Sequence, residues 1–351
     1  FIPVAGMDER IAITNHKNSN RMSIWLNYSE DEKMVLLQQT AVARKISAEQ
    51  AIEKDWWVTA ILVALSKSSW ADFLQFKGGT SLSKAWGLIS RFSEDIDLTI
   101  SRSFFDLPEE TNQQRTKIRR EAFHYIEEKL LPELDSILSS EGITGYKVEL
   151  VTKNSSDMVT LVEVKYQSIL PTKIDYLLPV VKIEFSAMSL DEPFENREIA
   201  TLIHSRFPEI DSEIKSLFKS VLPERTFLEK IFLLHEEYQK ENPRTDRMSR
   251  HLYDLEKMMD SSFAQSALQD KDLYIAIVNH RQKFNNIKDV NYRTHEPAQI
   301  RICPPDHLMG SWRKDYENMK ESFIYDKDKK TFDKIIERME ELTDRIRKIN
   351  Q

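Results

Sequence analysis

"FKGGTSLSKAWGLISRFSEDIDLTI", residues 76–100, is the stretch on which the reading of this chain turns. It sets two of the chain's seven glycines side by side, Gly78 and Gly79, and runs on into an alternating Asp95-Ile96-Asp97. Glycine lets a backbone turn sharply and approach a ligand closely with its N–H groups. A helix starting just afterwards, at Thr80 or Ser81, adds oriented N–H donors, a positive dipole end and hydroxyls suited to phosphate. "DIDLTI" alternates with period two and so predicts a strand. Asp95 and Asp97 would share one face of it, with Ile96, Leu98 and Ile100 on the core-facing row. Two adjacent carboxylates repel unless a cation sits between them, and oxygen ligands suit Mg2+ or Mn2+. Taken separately, each half has a plain alternative: a chain break between helices, and a solvated strand face. The spacing matches neither G-x-G-x-x-G nor the Walker pattern, which counts against both of those folds.

A third carboxylate lies in "PVVKIEFSA", residues 179–187. Its core row would be Val181, Ile183 and Phe185, which turns Glu184 and Lys182 to the other face. Phosphoryl and nucleotidyl transfer with two ions needs carboxylates on adjoining strands. Glu184 alone would be read as an ordinary exposed strand residue.

Around these stretches the pattern is helical up to the glycine pair. Ser29 is a candidate N-cap for a helix reaching about residue 47, and Ser47 with Gln50 looks like a capping box for the next. "TSLSKAWGLIS" reads as a helix that starts where the glycines stop. Residues 111–140 form a long amphipathic pattern. "YKVELVTK", "MVTLVEVKYQSI" and "PVVKIEFSA" read as consecutive strands, and "ATLIHSRF", residues 200–207, as a further edge strand. Past about residue 212 helical patterns dominate, ending in a charged helix from Asp326. The expected fold class is α+β: an extension over 1–29, a mixed sheet flanked by helices over 30–207, and an all-helical part over 208–351.

Bulk composition narrows the class of protein. A formal charge of −7 argues against a surface coated in positive potential, while leaving room for a local basic groove among 50 Lys and Arg residues. The single Cys303 excludes an intramolecular disulfide and a thiolate zinc cluster, so a reducing, cytoplasmic setting is expected. No apolar run suggests a membrane span. The opening "FIPVAGM" is not a secretory signal, and residues 1–6 read as a processing remnant.

With these residues on the page, the stretch 76–100 resembles the first motif of the AbiEii/AbiGii nucleotidyltransferase-like toxins, related to the MenT toxins and to the DNA polymerase β-like superfamily. "IEKDWWVTAIL" resembles the family's E-K-D-aromatic-aromatic helix, and "VKIEFSA" its third-carboxylate strand. "ERTFLEKIFLLHE" and "RHLYDLEKM" resemble its helical motifs, and "DYENM" has the family's look, so the likeness spans about residues 45–345. The resemblance implies a polymerase β-like nucleotidyltransferase domain with the site between it and the helical part. It implies that Asp95 and Asp97 hold Mg2+ (or Mn2+), with Glu184 as a less secure third ligand because the family often has Asp there. Lys77, Gly78, Gly79, Thr80 and Ser81 would meet an NTP, Lys230 its phosphates, and Asp254 would complete the site. The implied activity is NMP transfer to an RNA acceptor, a tRNA 3′ end foremost, by a toxin with a cognate antitoxin in phage defence. Transfer to a protein or small molecule, and an inactive nucleotide-binding module, are the alternatives.

The remaining candidates have plain readings beside functional ones. Lys230 flanks a stripe of Phe227, Ile231 and Leu234, where lysines commonly snorkel. Arg250, His251 and Asp254 sit nearer a helix edge; an Arg250–Asp254 pair at i, i+4 is the simple explanation. His235, His251, Tyr253, Trp56 and Trp57 are read as structural. Arg115, Lys117, Arg119 and Arg120, together with Lys77, Lys84 and Arg91, are candidates for an RNA backbone, against a mixed-charge solvated face. The C-terminal helix is read as solvent-facing or partner-contacting.

Overall fold

The computed structural model describes residues 24–46, 48–105, 112–170, 177–187, 193–208 and 214–350. Most of the expected extension, up to residue 23, and the proposed cap Ser47 lie outside them. Helix α1 (Glu30–Arg44) is capped by Ser29, whose hydroxyl takes the Glu32 N–H while Glu32 reaches back to the Ser29 N–H. Helix α2 (Glu49–Lys67) follows, then β1 (Leu74–Lys77), α3 (Gly78–Lys84) and β2 (Ile96–Ile100). The α3 helix thus includes both glycines and lasts only seven residues, so the expected helix from Thr80 onward is displaced and shortened.

The long pattern over 111–140 is two helices, α4 (Asn112–Tyr125) and α5 (Leu131–Ser140), joined by a π-helical turn at Ile126–Leu130. Pro132 follows directly. Its missing N–H breaks the regular ladder there, and a π turn is one way a helix absorbs that. Strands β3 (Tyr146–Leu150), β4 (Thr160–Tyr166), β5 (Val180–Ser186), β6 (Phe194–Ala200) and β7 (Lys215–Val221) complete a seven-stranded mixed sheet. Its order is β3-β4-β5-β2-β1-β7-β6, with β2–β5 and β1–β7 parallel and the other neighbours antiparallel.

Two expectations are corrected at this edge. Residues 201–207 are turns, and the edge strand is β6, "FENREIA", whose mostly exposed polar residues hide the strand pattern. β7 lies beyond residue 208, so the sheet reaches Val221 and the helical stretch begins with α6 (Pro223–Glu237). There follow α7 (Ser249–Met258), α8 (Ser262–Gln269), α9 (Lys271–His280), α10 (Met309–Ser322) and α11 (Phe332–Arg347). α11 is capped by Thr331, not begun at Asp326. It buries Phe332, Ile335, Met339, Leu342 and Ile346, so its charges lie on one face only. No helix among the described residues is long and apolar enough to cross a membrane.

Apolar residues gather in two cores, one against the sheet and one among α6–α11, with Leu82 and Ile89 reaching from the α3 region into the second. Helix α2 runs through the first core. Trp56 and Trp57 pack there, Trp57 stacking on Tyr166 at 4.8 Å. Three consecutive charges at its start are also buried, and each holds a different segment. Glu53 accepts from Ser168 Oγ and the Ile169 N–H (2.6 and 2.9 Å), and Asp55 from the Leu202 N–H (2.7 Å) and Lys84. Lys54 pairs at 2.5 Å with Glu94, which also binds Arg247 of the helical part. Removing one member of a buried pair leaves an uncompensated charge, so Lys54→Met should cost about 3 kcal/mol, read from urea denaturation.

Candidate active site

The site is built on the central strands. Register sets Lys77 of β1 opposite Asp97 of β2, and Asp97 opposite Glu184 of β5, so the three share one row across the sheet. Asp95 stands one residue before β2, at the same end. The alternation holds: Ile96, Leu98 and Ile100 are fully buried, as are Val181, Ile183 and Phe185 beside Glu184.

Each glycine answers to a side chain packed on it. Gly78 has φ +77°, and a Cβ there would lie 1.9 Å from Asp97 Oδ2. A Cβ on Gly79 would lie 2.7 Å from Arg91 Nη2. Thr80 is wholly buried, its hydroxyl 2.5 Å from the Asp95 carbonyl and 2.9 Å from Ser93 Oγ. It therefore fixes the approach to β2. Ser81 is also buried, and its hydroxyl has no hydrogen-bond partner among the described residues. Of the expected nucleotide contacts, Lys77, Gly78, Gly79 and Lys230 line a cleft of about 290 Å³ with Asp95, Asp97 and Glu184; Thr80 and Ser81 do not.

The far wall comes from α6 and α7. Asp254 is not at a helix edge but fully buried. Its carboxylate takes both arms of Arg91, Nε to Oδ1 at 2.6 Å and Nη2 to Oδ2 at 2.7 Å, and Lys230 Nζ at 2.9 Å. Burial alone would raise the Asp254 pKa, but Arg91 and Lys230 hold it far below the ordinary carboxylate range. The i, i+4 partner Arg250 makes no hydrogen bond or ion pair with any described residue; it lines the cleft beside His251. Burial, with Lys230 and Arg250 close by, keeps the His251 ring neutral. His235 is buried in the last turn of α6, where its ring takes the Arg301 N–H.

Sequence reasoning missed Glu229, which also lines the cleft. Burial pushes its carboxyl up, yet Arg225, Lys77 and Arg281 bring it down to about 2. Its only signal was the i, i+4 spacing to Arg225, a pattern common on solvated helices. Arg91 was noticed as a basic residue of the first motif, but its bonds to Asp254 give it an internal role.

The carboxylate row is electrostatically strained. Asp97 is pushed up to about 7 by burial, then by Glu184 and Asp95, with Lys77 and Lys230 opposing. Glu184 is raised by burial and by Asp95. Among the described residues no three His, Cys, Asp or Glu side chains close a cation cage. Mg2+ is commonly held by one or two carboxylates, with waters and substrate phosphates filling the other positions. Asp95 and Asp97 with Glu184 across the strand fit that open kind of seat, and a cation there would relieve the repulsion that raises Asp97.

Of the basic candidates on α4, Arg115 bonds the Lys283 carbonyl with its guanidinium over Phe284, and Arg119 reaches the Ser156 carbonyl at 3.4 Å. Lys117 and Arg120 are exposed, Lys117 beside Glu121 at 3.5 Å.

Sheet, cleft and helical wall together have the architecture of a nucleotidyltransferase toxin. The solved structure of MenT4, nucleotidyltransferase toxin Rv2826c from Mycobacterium tuberculosis H37Rv, shares the fold with a TM-score of 0.53 at 17% identity, over 92% of this chain and 88% of that one. The family model described as nucleotidyl transferase AbiEii toxin, type IV TA system, matches residues 60–338, and the chain belongs to that family. No curated protein matches the chain.

Two outcomes follow from this geometry. Gly78→Ala forces a left-handed alanine against Asp97; it should lose about 1–2 kcal/mol of stability, read from the urea midpoint. For Asp97, the folded state holds the proton more tightly than the unfolded chain, whose value is near 3.8. Its contribution to stability is therefore lost as pH rises from that value to about 7. Asp97→Asn should gain on the parent across this window, and Mg2+ at pH 8 should stabilise the parent but not the variant.

Proposed function

We propose that this chain transfers a nucleoside monophosphate from an NTP to an acceptor hydroxyl on RNA, with a tRNA 3′ end as the leading acceptor, and so blocks translation. The observation that carries the reading is the Asp97–Glu184 pair on adjoining parallel strands, set against Gly78 and facing Lys230 across one cleft. Lys230, anchored by Asp254, is aimed at the cleft and holds the triphosphate. Gly78 and Gly79 let the backbone pack against Asp97 and Arg91, where a side chain would collide, and so hold both residues at the cleft that takes the phosphates. Bound by Asp95, Asp97 and Glu184, Mg2+ (or Mn2+) would supply charge neutralisation and make the acceptor hydroxyl more acidic.

The acceptor oxygen attacks the α-phosphorus in line, its proton passing to the carboxylate pair. The bond from the α-phosphorus to the bridging oxygen breaks, and pyrophosphate leaves. Such a reaction needs no covalent enzyme intermediate; positioning and electrostatics do the work. Membership of a toxin–antitoxin family supports a cognate antitoxin as partner. The reading further takes the RNA acceptor to be cytoplasmic and the biological role to be defence against phage.

The test uses the purified chain with α-labelled NTPs, Mg2+ and total tRNA. Label should move to tRNA, and Asp95→Ala or Asp97→Ala should lower the rate by at least about 100-fold. A folded protein that transfers no label to any acceptor would overturn the reading, as would undiminished transfer by Asp95→Ala.

A further inference from the structure

Beside the cleft lies a larger cavity of about 480 Å³, and Arg91, Ser93 and Arg250 line both. Of these three, Arg91 is engaged by Asp254 and by the Phe92 carbonyl, and Ser93 Oγ stands beside Thr80. Arg250 alone has its donors unengaged by any described residue. A half-buried guanidinium with no hydrogen-bonded anion among the described residues, set between two chambers and near Glu184, is suited to a phosphate passing from one to the other.

The two ends of the system differ in chemistry. The larger cavity has an apolar wall of Phe92, Met319 and Phe323, with Asp246, Asn318 and Ser322 as a polar rim. Its buried carboxylate Glu94 is neutralised by Lys54 and Arg247, and Asp315 is occupied by the N–H groups of Arg247 and Ser249. A flat apolar wall with a few hydrogen-bonding groups is what a nucleobase needs.

At the other end, a recess of about 270 Å³ shares Lys77, Asp97, Glu184, Glu229 and Arg281 with the cleft and opens at Met158 and Asn285. Among the described residues, no Phe, Tyr or Trp lines it. The basic helix α4 braces both of its flanks, Arg115 on the Lys283 carbonyl and Arg119 on Ser156. Asp97 and Glu184 face this recess, whereas Asp95 lines only the cleft.

We infer that the NTP lies with its nucleoside in the larger cavity and Arg250 on its phosphates, and that the acceptor strand enters from the opposite recess over Met158. This rests on the nucleotidyl-transfer reading and adds the direction of both substrates. The cleft alone, at about 290 Å³, lies at the lower end of the roughly 300–1,000 Å³ of ordinary small-molecule pockets, and the adjoining cavity of about 480 Å³ gives a nucleoside further room. Among the described residues, the larger cavity sets two phenylalanines in its apolar wall, whereas the recess offers Met158 and Val159.

Calorimetry on the full chain with Mg2+ separates the parts, using an NTP and inorganic tripolyphosphate as probes. Ser322→Trp, at an exposed rim position, should weaken NTP binding at least tenfold and leave tripolyphosphate binding unchanged. Arg250→Ala should weaken both. Met158→Trp should leave NTP affinity unchanged and raise the KM for tRNA at least fivefold, with melting temperatures confirming that each variant is folded. Unchanged NTP binding in Ser322→Trp, or weakened NTP binding in Met158→Trp, would overturn the inference while leaving nucleotidyl transfer standing. A parent chain that binds neither probe would sink the transfer reading and this inference together.

Discussion

The buried carboxylate of Asp254 is the constraint on which the rest of the site depends. It sits on α7 with no exposed surface and gathers Arg91 from the loop before β2 and Lys230 from α6. Three charges out of water are tolerable only together, because each unpaired one would carry a desolvation penalty of several kcal/mol. The triad therefore holds the helical wall at a set distance from the sheet. It also explains Gly79, since the Arg91 guanidinium occupies the space in which a side chain at 79 would stand.

The same economy of paired charges runs through the framework. On α2, Glu53, Lys54 and Asp55 point to three separate segments, and through Glu94 the network reaches Arg247. Arg247 itself has a left-handed backbone, φ +56°, whose N–H is held by Asp315 at 2.7 Å. Strain at one turn is thus balanced by an acidic residue of α10, the first of the "DYENM" run. Against this rigid frame the carboxylate row stands out, because burial and neighbouring carboxylates raise both Asp97 and Glu184 although Lys77 opposes them. A frame that balances its other buried charges and leaves this pair strained has the character of a binding site.

Much of this was legible beforehand, and the failures have physical causes. Period-two alternation located β2 and β5 and put Asp97 and Glu184 on the outward rows, because a half-buried strand must alternate. Helical patterns with an apolar stripe located α6 and α7 for the same kind of reason. The edge strand β6 was lost because edge positions bear polar and charged residues that erase the alternation, and β7 beside it because Lys215, Ser216, Lys219 and Ser220 interrupt its apolar residues. α8 was missed because its eight residues are too few for a period to show. α11 was judged by its charge count, although five apolar residues spaced along one face bury it.

By itself, the order of residues determined the local chemistry: a glycine pair before a short helix, aspartates in alternation, a third carboxylate on a later strand, and a lysine beside an apolar stripe. These are matters of period and backbone freedom, which neighbouring residues settle among themselves. Only the tertiary structure decided what each side chain faces. It made Asp97 and Glu184 neighbours by parallel pairing and turned Thr80 inward to hold the Asp95 carbonyl. It took Asp254 from a helix edge into a buried triad, and it left Arg250 without a described partner. Those outcomes depend on contacts between segments far apart in the chain, such as Arg91 with Asp254. No local pattern encodes the distance between a loop and a helix that meet only when the sheet and the helical wall close on each other.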